Sequence, residues 1–339
     1  MMRTRGTGLL RTLCCLAFAL AACGADTAVF SPATANDNLK LFEYDPSAPL
    51  DPRVVSSEKR QGYTLQQLTY TSPKGGRVPA FLLIPDGRGP FPGVLLLHGM
   101  PSSAQGMLPE AERLARLGAI SLAISAPFAR SHRIGVQRGL NFDERDRDEQ
   151  IQLIIDLRRG VDLLLSRPDV AKDRLGYVGI SYGGAQGGLL AGVETRIKAY
   201  ALVVGDGGLV THLTGPDDRN GYLKSLPPER VKRWLATMEP IEPIRWVGRA
   251  APAHLLFQNG RSDTMVPPAD GRAYQEAGSE PKKLLWYDAE HGLNVEAVRD
   301  RHTWLAEQIG IRKELPGRAQ QAEASSKNTR RRSGHSDGA

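Results

Sequence analysis

A serine, an aspartate and a histidine in this chain are placed where together they could carry out acyl transfer. The pentapeptide Gly179-Ile180-Ser181-Tyr182-Gly183 reads as a strand-to-helix turn with a serine at its apex, because the apolar run Leu175–Val178 precedes it and small residues from Gly184 to Ala191 follow. A serine on such a turn is lifted clear of the sheet edge with its hydroxyl exposed. Glycines flank it where a side chain would crowd the neighbouring strand or helix. Given a base, that hydroxyl is a nucleophile. The competing reading is a glycine-rich turn whose serine only caps the helix, a position serine favours. The pentapeptide alone does not separate the two.

A serine nucleophile needs a base, a carboxylate to orient the base, and donors for the developing oxyanion. Asp263 stands in Gln258-Asn259-Gly260-Arg261-Ser262-Asp263, a turn directly after a hydrophobic run. His291 stands in Tyr287-Asp288-Ala289-Glu290-His291-Gly292, again after a run that reads as a strand. The chain order serine, aspartate, histidine is one such sites use. Each residue falls at the expected carboxyl end of a strand, so the three could converge in space. Asp206 also follows a strand and is a rival acid, whereas Asp288 lies too close to His291 along the chain. Taken singly, Asp263 could be a turn cap and His291 a surface histidine. His132, His212, His254, His302 and His335 lack a late, post-strand position. His98-Gly99-Met100-Pro101 follows the run Gly93–Leu97. A turn there could aim the Met100 N–H at the same point as the Tyr182 N–H, and each such oxyanion donor is worth roughly 3 kcal/mol.

The elements that must position these residues alternate along the chain. Val78–Ile84, Gly93–His98, Ala119–Ile124, Leu175–Gly179, Ile197–Val204, Ala253–Gln258 and Lys283–Tyr287 read as strands, and the continuous apolar runs among them suit strands buried on both faces. Between them, Leu108–Leu117, Gln150–Arg167 and Asn294–Ile309 read as helices. This alternation predicts an α/β fold with a doubly wound, mainly parallel sheet. Two segments interrupt it, Ala129–Glu149 and Gly207–Gly248, and both follow strands at the edge where such sheets bind ligands. They are expected to form a lid or cap, the cap proper at 207–248, with surface decoration as the plainer alternative. The catalytic domain is expected over 62–312, after a tether at 23–61 and before a disordered basic tail at 313–339.

The formal charge of +7 is concentrated at the ends, leaving a nearly neutral body without the basic footprint that nucleic acid requires. Arginines at 3, 5 and 11 precede Leu13–Leu20, an apolar run too short to span a bilayer and shaped like a signal-peptide core. The run ends in Leu20-Ala21-Ala22-Cys23-Gly24, which resembles a bacterial lipoprotein lipobox. That resemblance implies a signal peptide over 1–22, lipidation of Cys23 and a membrane anchor; an ordinary secretory signal is the rival. Either way the mature protein is expected to be exported. The three cysteines, Cys14, Cys15 and Cys23, all lie in or beside this segment. The body therefore has no thiol for a disulfide, a metal or nucleophilic catalysis, and neither metal nor cofactor is expected. Arg330-Arg331-Arg332 could touch anionic lipid, with a solvated tail as the plainer reading.

Together, His98-Gly99-Met100-Pro101, Gly179-Ile180-Ser181-Tyr182-Gly183-Gly184, Asp263 with Val266-Pro267, and His291 resemble the α/β-hydrolase superfamily over residues 62 to 312. Within it the chain is similar to dienelactone-hydrolase-like esterases and to the catalytic domain of prolyl-oligopeptidase-type peptidases. It departs from the peptidases in having no room for an N-terminal propeller, and from true dienelactone hydrolases in having Ser181 where they use cysteine. The resemblance implies a serine hydrolase acting on small-molecule esters through a Ser181–Asp263–His291 triad, with Met100 and Tyr182 forming the oxyanion hole. A peptidase of the prolyl-oligopeptidase type and a non-catalytic, membrane-tethered binding protein are the alternatives.

Overall fold

The computed structural model describes residues 38–130, 139–215 and 221–313. Cys23, His132, His335, the signal-peptide segment and almost all of the basic tail lie outside the described residues. One nine-stranded sheet organises the chain: β1 (Arg53–Arg60), β2 (Tyr63–Thr71), β3 (Arg77–Pro85), β4 (Phe91–Leu97), β5 (Ile120–Ile124), β6 (Val170–Ile180), β7 (Ala199–Val203), β8 (His254–Gly260) and β9 (Lys282–Tyr287). The order across the sheet is β1-β2-β3-β5-β4-β6-β7-β8-β9. The first three strands run antiparallel to their neighbours, and β5, β4, β6, β7, β8 and β9 form a parallel block. The expected doubly wound, mainly parallel sheet is therefore present.

The helices are α1 (Leu108–Arg116), α2 (Glu144–Leu165), α3 (Tyr182–Ala191), α4 (Leu209–Thr214), α5 (Tyr222–Ser225), α6 (Pro228–Met238), α7 (Pro268–Ala277) and α8 (Val295–Ile309). Strand alternation sends side chains to two cores, as period 2 requires. Leu95 and Leu97 face the core covered by α2 and α3, while Val94 and Leu96 face the core covered by α1 and α8. Helix α2 begins at Glu144, six residues before its apolar stripe, because the Asp143 side chain caps it by accepting the Arg145 N–H. The residues between β7 and β8 form a helical insertion, α4 to α6 plus short 3-10 turns. It is seated on α2 through Trp234, whose indole N–H donates to the buried Asp146 carboxylate at 2.8 Å.

The structured body begins well before residue 62. Phe42 is fully buried and meets Trp246 edge to face at 5.4 Å. Tyr44 donates to Asp162 at 2.9 Å, and the Arg158 and Arg159 guanidiniums bind the carbonyls of Phe42, Pro46 and Ala48. β1 then adds an outer strand, exposed along almost its whole length. Residues 38–61, read from sequence as tether, are thus packed as part of the domain. Mixed composition hid them, since a two-sided exposed edge strand carries no apolar alternation.

β4 and β6 are neighbours in the sheet, yet the chain leaves β4 for β5 on one side and continues from β6 to β7 on the other. The carboxyl ends of β4 and β6 therefore flank the topological switch point, where open α/β sheets bind ligands.

Candidate active site

Ser181 sits at the end of β6, at the entry to α3, with φ 56° and ψ −117°. Its own N–H donates to the Val203 carbonyl of β7 at 2.8 Å, which holds the turn against the sheet. A non-glycine residue at positive φ costs about 1–3 kcal/mol and persists only where the surroundings enforce it. Here the surroundings are glycine contacts. A Cβ on Gly183 would lie 2.2 Å from the Leu97 carbonyl oxygen, and one on Gly179 would lie 2.1 Å from the Gly183 carbonyl oxygen. Helix α3 can be drawn this close to β4 and β6 only because both positions are glycine.

Asp263 and His291 are brought together by the loops after β8 and β9. Backbone bonds from Arg261 to Tyr287 (2.8 Å) and from Ser262 to Ala289 (3.2 Å) tie the two loops to each other. His291 Nδ1 then lies 2.8 Å from Asp263 Oδ2. Asp263 Oδ1 accepts the N–H groups of Met265 and Val266, both at 2.9 Å, so each carboxylate oxygen is engaged. Burial would raise the Asp263 pKa, but the His291 ring and these amides outweigh it and hold the carboxyl below its usual range. With Nδ1 committed to Asp263, Nε2 is the ring nitrogen that remains. Among the described residues, neither Nε2 of His291 nor Oγ of Ser181 has a hydrogen-bond partner. A long or absent serine–histidine bond is common before substrate binds.

Gly99 lies against the serine: a Cβ there would be 3.1 Å from Ser181 Cβ. The Met100 and Tyr182 amides have no backbone acceptor among the described residues, Tyr182 being the first residue of α3. Asp206, the rival acid, follows β7 and is occupied otherwise. Its Oδ2 is 2.7 Å from His212 Nδ1, and its Oδ1 accepts the Gly208 N–H at 3.1 Å. Asp288 is exposed and pairs with Arg261. His302 is buried against Glu110, and His254 opens β8. Among the described residues no three acidic, histidine or cysteine side chains cluster as a metal site.

The comparison with solved structures gives this arrangement its context. The chain superimposes on an acetyl xylan esterase from Paenibacillus sp. R4 with TM-score 0.64, at 19% identity, covering 82% of this chain and 94% of that one. It superimposes on acetyl xylan esterase 1 from Thermoanaerobacterium sp. with TM-score 0.65, at 18% identity, covering 81% and 92%. A putative dienelactone hydrolase from Klebsiella pneumoniae matches with TM-score 0.52 at 17% identity, covering 72% and 97%. The chain has the α/β-hydrolase fold. No family model matches the chain. By sequence it is 32% identical over 131 residues to mouse acyl-coenzyme A thioesterase 3, a match spanning 38% of this chain and only 27% of that protein.

Several residues that frame the candidate site carry no motif. Phe128, on the turn after β5, meets His98 at 5.5 Å and Tyr182 at 5.4 Å, both edge to face. Gln150 of α2 accepts the Tyr182 hydroxyl at 2.7 Å. Glu242, in the insertion, is buried near Asp206 and accepts the Thr211 N–H; burial raises its pKa to about 8. These contacts join residues far apart in sequence, so only a signal of spatial pairing could have found them.

Proposed function

We propose that this chain is a serine hydrolase that cleaves carboxylic esters through an acyl-enzyme. Ser181 Oγ attacks the ester carbonyl carbon while His291 Nε2 takes its proton. The carbonyl oxygen becomes an oxyanion, which accepts hydrogen bonds from the Met100 and Tyr182 N–H groups. Collapse of this intermediate expels the alkoxide, which leaves as the alcohol with the proton from His291. Water then attacks the acyl-enzyme, giving a proton to His291, and as the acyl–Oγ bond breaks His291 returns that proton to Ser181 Oγ and the carboxylic acid leaves. Asp263 keeps the imidazole proton on Nδ1 and stabilises the charged ring.

Two observations carry this reading: the Asp263–His291 pair at 2.8 Å, and a serine held at positive φ at the end of a sheet strand between crowded glycines. The esterase names among the structures of similar fold, and the thioesterase that shares part of the sequence, agree with acyl transfer to water. A fluorophosphonate probe should label wild type at Ser181, and Ser181→Ala should abolish both labelling and turnover of activated short-chain esters. An unlabelled wild type inert toward such esters would refute the proposal.

The thioesterase similarity favours a second reading, in which the leaving group is a thiol. The two are separated by comparing kcat/KM for an oxygen ester and a thioester with the same acyl group.

A further inference from the structure

The two amides proposed for the oxyanion hole belong to different turns, and a single aromatic ring connects them. His98 is buried, and its ring is read by two bonds. The Ala126 N–H points at Nε2 from 3.1 Å, so Nε2 must be unprotonated and accept. Nδ1 therefore carries the proton and donates to the Gly99 carbonyl at 2.8 Å. Burial lowers the His98 pKa to about 4, which keeps the ring in this one neutral tautomer. Because a trans peptide is planar, fixing the Gly99 carbonyl also fixes the opposed N–H of Met100. On the other turn, Tyr182 is anchored through its hydroxyl to Gln150. Phe128 stands between the two, at interplanar angles of 79° to His98 and 78° to Tyr182. Edge-to-face contacts of this kind fix ring positions as well as burying area.

We infer that His98 and Phe128 are positioning residues that set the orientation and spacing of the two oxyanion donors. The inference rests on the serine-hydrolase reading given above. Neither side chain touches the reacting atoms. His98 acts through the Gly99–Met100 peptide, and Phe128 acts by holding the His98 turn at a fixed distance from Tyr182. An oxyanion hole works because its donors are aligned before charge develops, so misalignment slows the chemical step and leaves ground-state binding alone.

The test uses the full chain and two readouts: steady-state turnover of an activated acetyl ester, and affinity for a trifluoromethyl ketone. The ketone forms a bond from Ser181 Oγ to its carbonyl carbon, the serine proton moves to His291, and the ketone oxygen becomes an oxyanion. Phe128→Leu should lower kcat about tenfold to a hundredfold with KM within twofold of wild type. Ketone affinity should fall by a similar factor. Phe128→Tyr, which keeps the ring, should restore most of both. A second pair of variants separates orientation from packing. His98→Asn can still donate from the Nδ1 position, whereas His98→Gln offers its amide nearer the Nε2 position. His98→Gln should be at least tenfold worse than His98→Asn in kcat. Equal losses in the two His98 variants, or a Phe128→Leu variant with full kcat and ketone affinity, would overturn the brace while wild type remains labelled and active. A wild type that takes no fluorophosphonate would refute the hydrolase reading, and the brace with it.

Discussion

Asp206 and Asp263 follow adjacent parallel strands, and each is hydrogen-bonded to an imidazole, at 2.7 and 2.8 Å. Geometry at one carboxylate does not choose between them; the surroundings do. Asp263 is held in its ionised form by its partner and two amides, and among the described residues the Nε2 of its histidine has no hydrogen-bond partner. Asp206 instead shares a buried corner with Glu242 and helps shape the start of α4 through Gly208. Asp263→Asn should therefore lower kcat about ten-thousandfold by favouring the wrong imidazole tautomer. Asp206→Asn should cost less than about tenfold, and a reversed ranking in parallel kinetics would move the acid to Asp206. In the sequence, Ser181, Asp263 and His291 were legible because each follows an apolar strand. The His212 partner of Asp206 was not, because the path of an insertion decides which imidazole meets which carboxylate. Phe128 was illegible for a related reason: its role lies in contacts with residues some thirty and fifty positions away, and its local sequence is an ordinary turn.

At the scale of elements, α1 and α8 are fastened to each other and to β8 by one buried network. Arg301 donates to Glu110 at 2.8 Å and to Gln258 at 2.9 Å, and His302 approaches the same Glu110 oxygen at 3.1 Å. Burial opposes ionisation of Glu110, but Arg301 and His302 prevail and hold its carboxyl far below the usual range. Glu110→Gln should destabilise the protein by about 3 kcal/mol at neutral pH, since it leaves Arg301 buried without its counter-charge. The sign with pH follows from the depressed folded-state pKa. The contribution is complete above the unfolded value, about 4.3, and fades as acid protonates the folded carboxylate. The gap between wild type and variant in urea melts should be widest near pH 7 and shrink below about pH 4; a constant gap would argue against the pairing as its source. Sequence periodicity located the helices that carry this network, yet it missed the first six residues of α2. Charged residues there looked like a solvated lid, whereas Asp146 is buried and accepts from the Asn141 and Phe142 backbones and from Trp234.

Over the whole molecule, the alternation of apolar runs was enough to foresee the parallel block, and the outer strands and the leader were not foreseeable from the same signal. β1 is exposed on both faces, and the leader is held by isolated anchors such as Phe42 and Tyr44. The leader joins α2 to the insertion, so it belongs to the folding unit. Phe42→Ala should lower stability by about 3–5 kcal/mol, as for other buried aromatics. A midpoint of chemical unfolding unchanged from wild type would show the leader to be dispensable. One feature of the Ser181 turn sets this cooperative body against the chemistry proposed for it. The backbone at Ser181 lies at φ 56° and ψ −117°, a conformation that glycine tolerates far better than any residue with a side chain. The occupant that folding alone would choose for position 181 is thus the one with nothing to react. A drifting sequence would lose the hydroxyl at this position downhill in free energy, so the proposed turnover is a demand that would hold it there.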